Sequence, residues 1–210
     1  MSNSERWLRE HFSDHFVKKA QKEGYVSRAA YKLIELNDRD RFLKPGSVVL
    51  DLGAAPGGWS MVAQEIAGPK GKVVALDCLP MTPMTGVDFI QGDFTEEATY
   101  HTLLAHLNQQ PVDVVLSDMA PNLSGSRSID QPRAMYLAEL ALDFAKIVLK
   151  PGGSLIIKIF QGEGVDAYGR LVKQHFQAMK WRKPDASRSK SRELYLVAKG
   201  LLSTPSKNTL

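Results

Sequence analysis

The chain reads as a single α/β domain built on a mostly parallel sheet, and three features of the sequence predict this. Apolar runs recur at Val48-Val49-Leu50, Lys72 to Asp77, Val87 to Gln91, Val112 to Ser117 and Ser154 to Phe160, each read as a strand, the first suited to burial on both faces and the second also buried. Segments with helical spacing alternate with these runs, as parallel strands joined by crossover helices require. The first run passes through Asp51 into Gly53-Ala54-Ala55-Pro56-Gly57-Gly58 and then a helix from about Trp59 to Ala67. Strand, glycine turn and helix open many nucleotide-binding α/β domains, with the ligand over the turn and the helix N-terminus.

The turn does not match a dinucleotide site. Of the G-x-G-x-x-G positions only Gly53 and Gly58 are in register, and Asp51 stands just before them. A carboxylate there repels a pyrophosphate but suits a ligand with an ammonium or sulfonium group. S-adenosylmethionine is such a ligand, and an ordinary glycine turn is the alternative reading.

Around this turn the other elements follow in order. Ser4 to Lys22 has the spacing of a helix, with Trp7, Leu8, Phe12, Phe16 and Ala20 on one side and Gly24 ending it. Ser27 is placed to cap a second helix bearing Ala30, Leu33 and Ile34. Arg28 and Lys32, four apart, share a face off that apolar stripe. Glu96 to Leu107 reads as helix, and Leu123 to Gln131 as a polar loop. A helix is predicted from Asp130 or Gln131 through Leu149, stopped by Pro151-Gly152-Gly153. Asp166 to Gln177 is a further helix, a strand begins near Lys180, and Glu193 to Ala198 is the last strand. Pro184 to Arg192 is a basic, hydroxyl-rich loop, and the tail from Leu202 is expected to be disordered.

Asp51, Asp77, Asp93 and Asp118 all fall at or just past the C-terminal ends of apolar runs. That edge of an open α/β sheet is where ligands bind. Each acid alone is explained by helix capping, but four in succession favour a ligand cleft. Asp77 lies about twenty residues beyond the glycine turn, where a carboxylate on the next strand receives ribose hydroxyls. Lys158 interrupts the run SLIIKIF, either snorkelling to a strand end or placed for chemistry; acids expected at the same edge favour chemistry.

Composition narrows the class. Hydrophobic content of 43% and charged content of 24% are those of an ordinary soluble globular protein. The single cysteine, Cys78, precludes an internal disulfide, no run has membrane-spanning length, and the N-terminus lacks an apolar signal core, so a cytoplasmic location is expected. The net charge of +4 is unevenly spread. Residues 1–50 carry ten Lys/Arg against seven Asp/Glu, residues 51–177 nine against fourteen, and residues 178–210 eight against two. An acidic body between basic ends suggests a polyanion held by the flanks, with solvated surface lysines as the alternative. Neither a zinc-ligand cluster nor a Ser/His/Asp arrangement is visible, which argues against a metal site and a hydrolase.

DLGAAPGGWS, SDMAPN, IKIFQGEG and SRSKSRELYLVA together resemble the FtsJ/RrmJ family of S-adenosylmethionine-dependent RNA 2′-O-ribose methyltransferases, most closely the bacterial type that acts on a uridine of large-subunit ribosomal RNA. The resemblance spans Trp7 to Gly200. It departs from the family pattern at Ala30-Tyr31 and in the longer tail, neither of them a catalytic position. It implies a Rossmann-like methyltransferase fold: a mostly parallel seven-stranded sheet, helices on both faces and an antiparallel last strand. The domain would cover residues 1–200, with a helical RNA-contacting part at 1–44 and a tail at 201–210. The family's Lys-Asp-Lys-Glu pattern falls on Lys32, Asp118, Lys158 and Glu193. Its donor-binding positions fall on Gly57, Trp59, Asp77, Asp93 and Asp118, beside Asp51 and Gly53 from the turn itself. Arg28, Lys32, Arg188, Lys190 and Arg192 are expected on RNA phosphates. Other expectations are S-adenosylmethionine as cofactor, S-adenosylhomocysteine as product, no metal, a monomer, no membrane, and ribosomal RNA, within the large subunit, as partner.

On that implied chemistry Lys158 meets the acceptor hydroxyl. An unperturbed lysine, with a pKa of about 10.4, is charged at neutral pH. Burial, Lys32 and a cationic donor lower the value, whereas Asp118 and Glu193 raise it, so the sequence leaves open a neutral base or a charged steering group. Transfer RNA as substrate, and a non-catalytic RNA-binding assembly factor on the same fold, are the competing readings.

Overall fold

The computed structural model describes residues 15–188 and 190–203. Its strands are β1 (Val48–Leu52), β2 (Lys72–Asp77), β3 (Val87–Gln91), β4 (Val112–Ser117), β5 (Leu149–Phe160), β6 (Phe176–Arg182) and β7 (Glu193–Leu201). Its helices are α1 (His15–Glu23), α2 (Ala29–Asp40), α3 (Gly58–Ala67), α4 (Glu97–Leu107), α5 (Arg127–Val148) and α6 (Val165–His175). The expected helix at residues 4–14 and the tail from residue 204 lie outside the described residues.

The strands form one sheet in the order β3-β2-β1-β4-β5-β7-β6. β1 to β5 pair in parallel, and β7 runs antiparallel to both β5 and β6, as expected of the fold. Successive side chains of a strand point to opposite faces, so each strand serves two cores. Val49, Val73, Val114, Leu116, Ile156 and Val197 pack with Leu33 and Leu36 of α2 and Trp59 and Val62 of α3. Leu50, Leu52, Leu76, Leu155, Ile157 and Leu196 pack on the other face with Leu103 of α4, Leu142 and Phe144 of α5 and Val172 of α6. The period of two also decides where the polar residues go. Asp51 shares the parity of Val49, Lys158 that of Ile156, and Tyr195 and Glu193 that of Val197, all on the α2/α3 face and toward the ligand-binding edge.

α2 is fastened along its length, which fixes where Lys32 points. Trp59 of α3 donates its ring N–H to the Ala29 carbonyl at 2.9 Å. The Glu35 carboxylate accepts the main-chain N–H of Asp185 at 2.6 Å and of Ala186 at 3.0 Å. At the far end Asp40, buried, takes a two-pronged bond from Arg182 at 2.7 and 2.9 Å. Such a fork adds geometric definition as well as charge pairing.

Several boundaries differ from the sequence reading; β6, for one, starts at Phe176, inside the expected helix and not near Lys180. α5 starts at Arg127, inside the expected loop, because Asp130 turns its carboxylate back onto Ser124 and Gly125 and orders the chain ahead of it. β5 starts at Leu149: its partners on β4 jump from Val112↔Leu149 to Val114↔Ser154, so Lys150 to Gly153 bulge out and the strand continues past them. Ser27 does not cap α2; the capping position is Arg28, whose side chain does not bond the helix end, and the Ser27 hydroxyl is buried without a hydrogen-bond partner among the described residues.

Candidate active site

Two ion pairs stand side by side at the C-terminal edge of the sheet. Lys158 Nζ of β5 lies 3.1 Å from Asp118 Oδ1, just past β4, and also donates to the Asp118 carbonyl. Lys32 Nζ of α2 lies 2.9 Å from Glu193 Oε1 at the start of β7. The four side chains are between 9% and 19% exposed, so the charges are shielded from bulk water but not sealed from a ligand.

Tyr195 joins the pairs. It sits opposite Lys158 in the β5–β7 register, donates its hydroxyl to Asp118 Oδ1 at 3.0 Å and lies with its ring centroid 5.6 Å from Lys32 Nζ. Its ring meets Trp59 at 5.7 Å between centroids. Burial above all, with the charges of Asp118 and Glu193, pushes the phenol well above its ordinary value, so it remains a donor. Sequence reasoning missed this residue because ELYLVA reads as a core strand. The available signal was its spacing, two residues beyond Glu193 and so on the same face.

A cleft of about 490 Å³ opens next to Asp118, lined by the ends of β1 to β4 and by α5. Gly53, Asp77, Asp93 and Asp118 line it. Asp77 is held by the main-chain N–H groups of Ala55 at 2.9 Å and Leu79 at 2.8 Å. Asp93, exposed, accepts the Thr95 N–H at 2.8 Å and hydroxyl at 2.7 Å, which hold its carboxyl below the usual range. Three carboxylates face one guanidinium, Arg133, in this lining. That balance repels a pyrophosphate and suits a cationic nucleoside, so the residues present fit S-adenosylmethionine.

Asp51, Gly57 and Trp59 do not line the cleft. The Asp51 carboxylate is fully buried beneath α3, where Ser60 donates to Oδ2 at 2.6 Å and Oδ1 has no partner among the described residues. Burial pushes its pKa up to about 7; the Ser60 bond opposes that rise, and the charges of Asp118 and Asp77 add to it. Gly57 has φ +108°, and the space where a Cβ would project is taken by Met84, whose Cε would lie 2.1 Å away. At Gly53 a Cβ would lie 2.7 Å from Met119 Cγ. These glycines admit neighbouring methionines as well as the turn itself. Trp59 is 2% exposed and supports Tyr195 and α2.

Of the residues expected on RNA, Arg28 donates to the Ala186 carbonyl, tying α2 to the loop before β7, and Lys32 is paired with Glu193. That loop carries Arg188 and Lys190, both exposed, and Arg192, which donates to the Gln161 carbonyl at 3.3 Å. Among the described residues no group of His, Cys, Asp or Glu is placed to hold a metal ion, and no helix is long and apolar enough to cross a membrane.

Residues 25–201 match the family model described as FtsJ-like methyltransferase. The chain is 58% identical over 200 residues to the ribosomal RNA large subunit methyltransferase E of Cellvibrio japonicus, a match covering 95% of each. The crystal structure of a Plasmodium falciparum ribosomal RNA methyltransferase superposes with a TM-score of 0.78 at 33% identity, over 86% of this chain and all of that one. A Clostridium thermocellum rRNA-methylase structure, at 16% identity and a TM-score of 0.53 over 80% of this chain and 97% of that one, shares the fold. With the acid-lined cleft beside the paired lysines, these matches place the chain in the FtsJ-like methyltransferase family.

Proposed function

We propose that the protein methylates a ribose 2′-hydroxyl, that of a uridine in large-subunit ribosomal RNA, within or near an assembled ribosomal particle. The observation that carries this reading is the Lys158–Asp118 pair: Asp118 lines an acid-rich cleft, and Lys158 stands two residues before Phe160, which lines a cavity rimmed by basic residues. The name of the Cellvibrio japonicus relative supports the choice of RNA.

S-adenosylmethionine in the cleft supplies a methyl group already activated on a sulfonium. The chain's task is to align an acceptor oxygen with it and manage one proton. Asp77 and Asp93 hold the nucleoside of the donor. Asp118 orients Lys158 through its carboxylate and its carbonyl, two acceptors that occupy two of the lysine's N–H groups. A neutral Lys158 so held keeps a lone pair for the 2′-hydroxyl proton. A charged one keeps a third N–H for the developing alkoxide. Lys32 and Glu193 position the ribose. The product is a 2′-O-methyl ether.

The test is incubation with labelled donor and, in parallel, large ribosomal subunits, free large-subunit RNA and transfer RNA, followed by digestion to nucleosides. Labelled 2′-O-methyluridine from the large-subunit samples is expected. Transfer to transfer RNA alone overturns the ribosomal assignment, and no transfer to any RNA overturns the catalytic one in favour of a binding factor.

A further inference from the structure

A second cavity, about 290 Å³, is lined in part by Phe160, two residues past Lys158 at the end of β5. Strand order places it. The donor cleft takes its lining from the ends of β1 to β4 and from α5, whereas this cavity is lined by the loop after β4, the start of α5, the end of β5 and the loop before β7. Asp118 lines the donor cleft, and its partner Lys158 has the Phe160 ring of the second cavity 5.7 Å from its Nζ.

The walls combine an apolar platform with a cationic rim. Phe160, half-buried, stands opposite Glu193 in the β5–β7 register, its ring centroid 5.7 Å from Lys158 Nζ. Leu123, also in the lining, is 63% exposed and offers an apolar surface beside the ring. Arg127, Lys190 and Arg192 supply positive charge, and among the described residues none of them makes an ion pair. Asp130, the acid in the lining, turns its oxygens onto Ser124 and Gly125. The platform is also pinned: the buried Gln131 amide donates to the carbonyls of Phe160 at 3.1 Å and Glu163 at 3.0 Å.

A ribose whose 2′-oxygen reaches Lys158 carries its base on the adjacent ring carbon, close to the reacting atom. The donor occupies the cleft on one side, so the base has the other. An accessible aromatic ring among cations without ion pairs is the kind of surface on which unstacked RNA bases settle. Building on the ribose-methylation reading, we propose that this cavity takes the base of the acceptor nucleotide, stacked on Phe160 beside Leu123, with Arg127, Lys190 and Arg192 on the flanking phosphates. The acceptor nucleotide therefore enters unpaired, from a loop or turned out of a helix.

The test uses the full chain with Phe160→Ala, Phe160→Tyr and Leu123→Ala, the last at an exposed position on which folding does not depend. Loss of one base–aromatic stack raises the RNA concentration at half-maximal single-turnover rate roughly tenfold or more in Phe160→Ala. Phe160→Tyr restores the parent value, Leu123→Ala shows a smaller rise, and donor affinity stays within about twofold in all three, as expected of side chains outside the donor cleft. In parallel, 4-thiouridine-substituted large-subunit RNA is photo-crosslinked to the parent protein and the attached peptides are identified by mass spectrometry. Crosslinks to the segments holding Leu123 or Phe160 are expected. Crosslinks confined to other segments, or an unchanged RNA dependence in both alanine variants, overturn the proposal. The crosslink reads base occupancy without turnover, so a parent protein that transfers no methyl group but crosslinks at Phe160 refutes the methylation reading and not the pocket.

Discussion

Tyr195 and Lys158 meet on one oxygen of Asp118: the phenol donates to Oδ1 at 3.0 Å and the lysine Nζ lies 3.1 Å from the same atom. The two side chains face each other across β5 and β7, so adjacent strands and a third group just past β4 are locked by a single acceptor. The carboxylate cannot rotate away from the lysine without losing the phenol.

Tyr195→Phe removes that donor and keeps the ring against Trp59 and Lys32. A hydrogen bond to a charged group contributes about 1.5–3 kcal/mol, so the single-turnover rate of methyl transfer should fall roughly ten- to hundredfold if the bond serves chiefly to hold Asp118 in place. Donor affinity, measured by calorimetry, should hardly change. A variant at the parent rate shows that Asp118 is positioned without the phenol.

Lys32 and Glu193, 2.9 Å apart and both largely buried, should behave as one unit. Removing either leaves the other an uncompensated charge, so the effects of Lys32→Ala and Glu193→Ala on the rate should not add. A double-mutant cycle should show a coupling of about 1–3 kcal/mol. Additive effects mean that the two act separately.

Asp51 predicts a pH dependence of stability. Its folded pKa is raised to about 7, so between pH about 4 and 7 the folded protein binds a proton that the unfolded chain releases. Stability from this residue is fully present below about pH 4 and is lost as the pH rises to about 7. Asp51→Asn keeps an acceptor for Ser60 and has no charge to bury. In thermal melts of cofactor-free protein the variant should match the parent near pH 4 and exceed it increasingly up to pH 7, by an amount on the order of a few kcal/mol. A difference independent of pH contradicts the account.

The legible parts of the sequence were those governed by local pattern. β2 and β4 coincide with their apolar runs because buried parallel strands are continuous apolar segments ended by polar residues; β3 also coincides with its run, although at the sheet edge none of its residues is buried. The start of α5 was not legible, since Arg127 to Asp130 carry no helical periodicity and are ordered by the bonds Asp130 makes backwards. The β5 bulge was hidden for a related reason: Pro151-Gly152-Gly153 reads as a stop, and only pairing with β4 shows the strand resuming. In the site, the acids at the strand ends and the misplaced Lys158 stood out in the sequence, whereas the pairing of Lys32 with Glu193 rested on family resemblance. Tyr195 and Phe160 look like core residues until the order β4-β5-β7 sets them beside Asp118 and Lys158. Asp51 misled because a position before the turn does not reveal that the side chain points under α3.

Lys158→Ala tests the central claim that Lys158, held by Asp118, acts on the acceptor and not on the donor. The measurement is single-turnover methyl transfer to large-subunit RNA alongside equilibrium binding of S-adenosylmethionine, with Asp77→Ala as the counterpart. Positioned base or electrostatic assistance is worth roughly two to four decades of rate, so Lys158→Ala should lose at least about a hundredfold in transfer with donor affinity nearly unchanged. Asp77→Ala should chiefly weaken donor binding. A Lys158→Ala protein that transfers methyl groups within a few-fold of the parent contradicts the account and leaves Lys158 a strand lysine reaching for solvent.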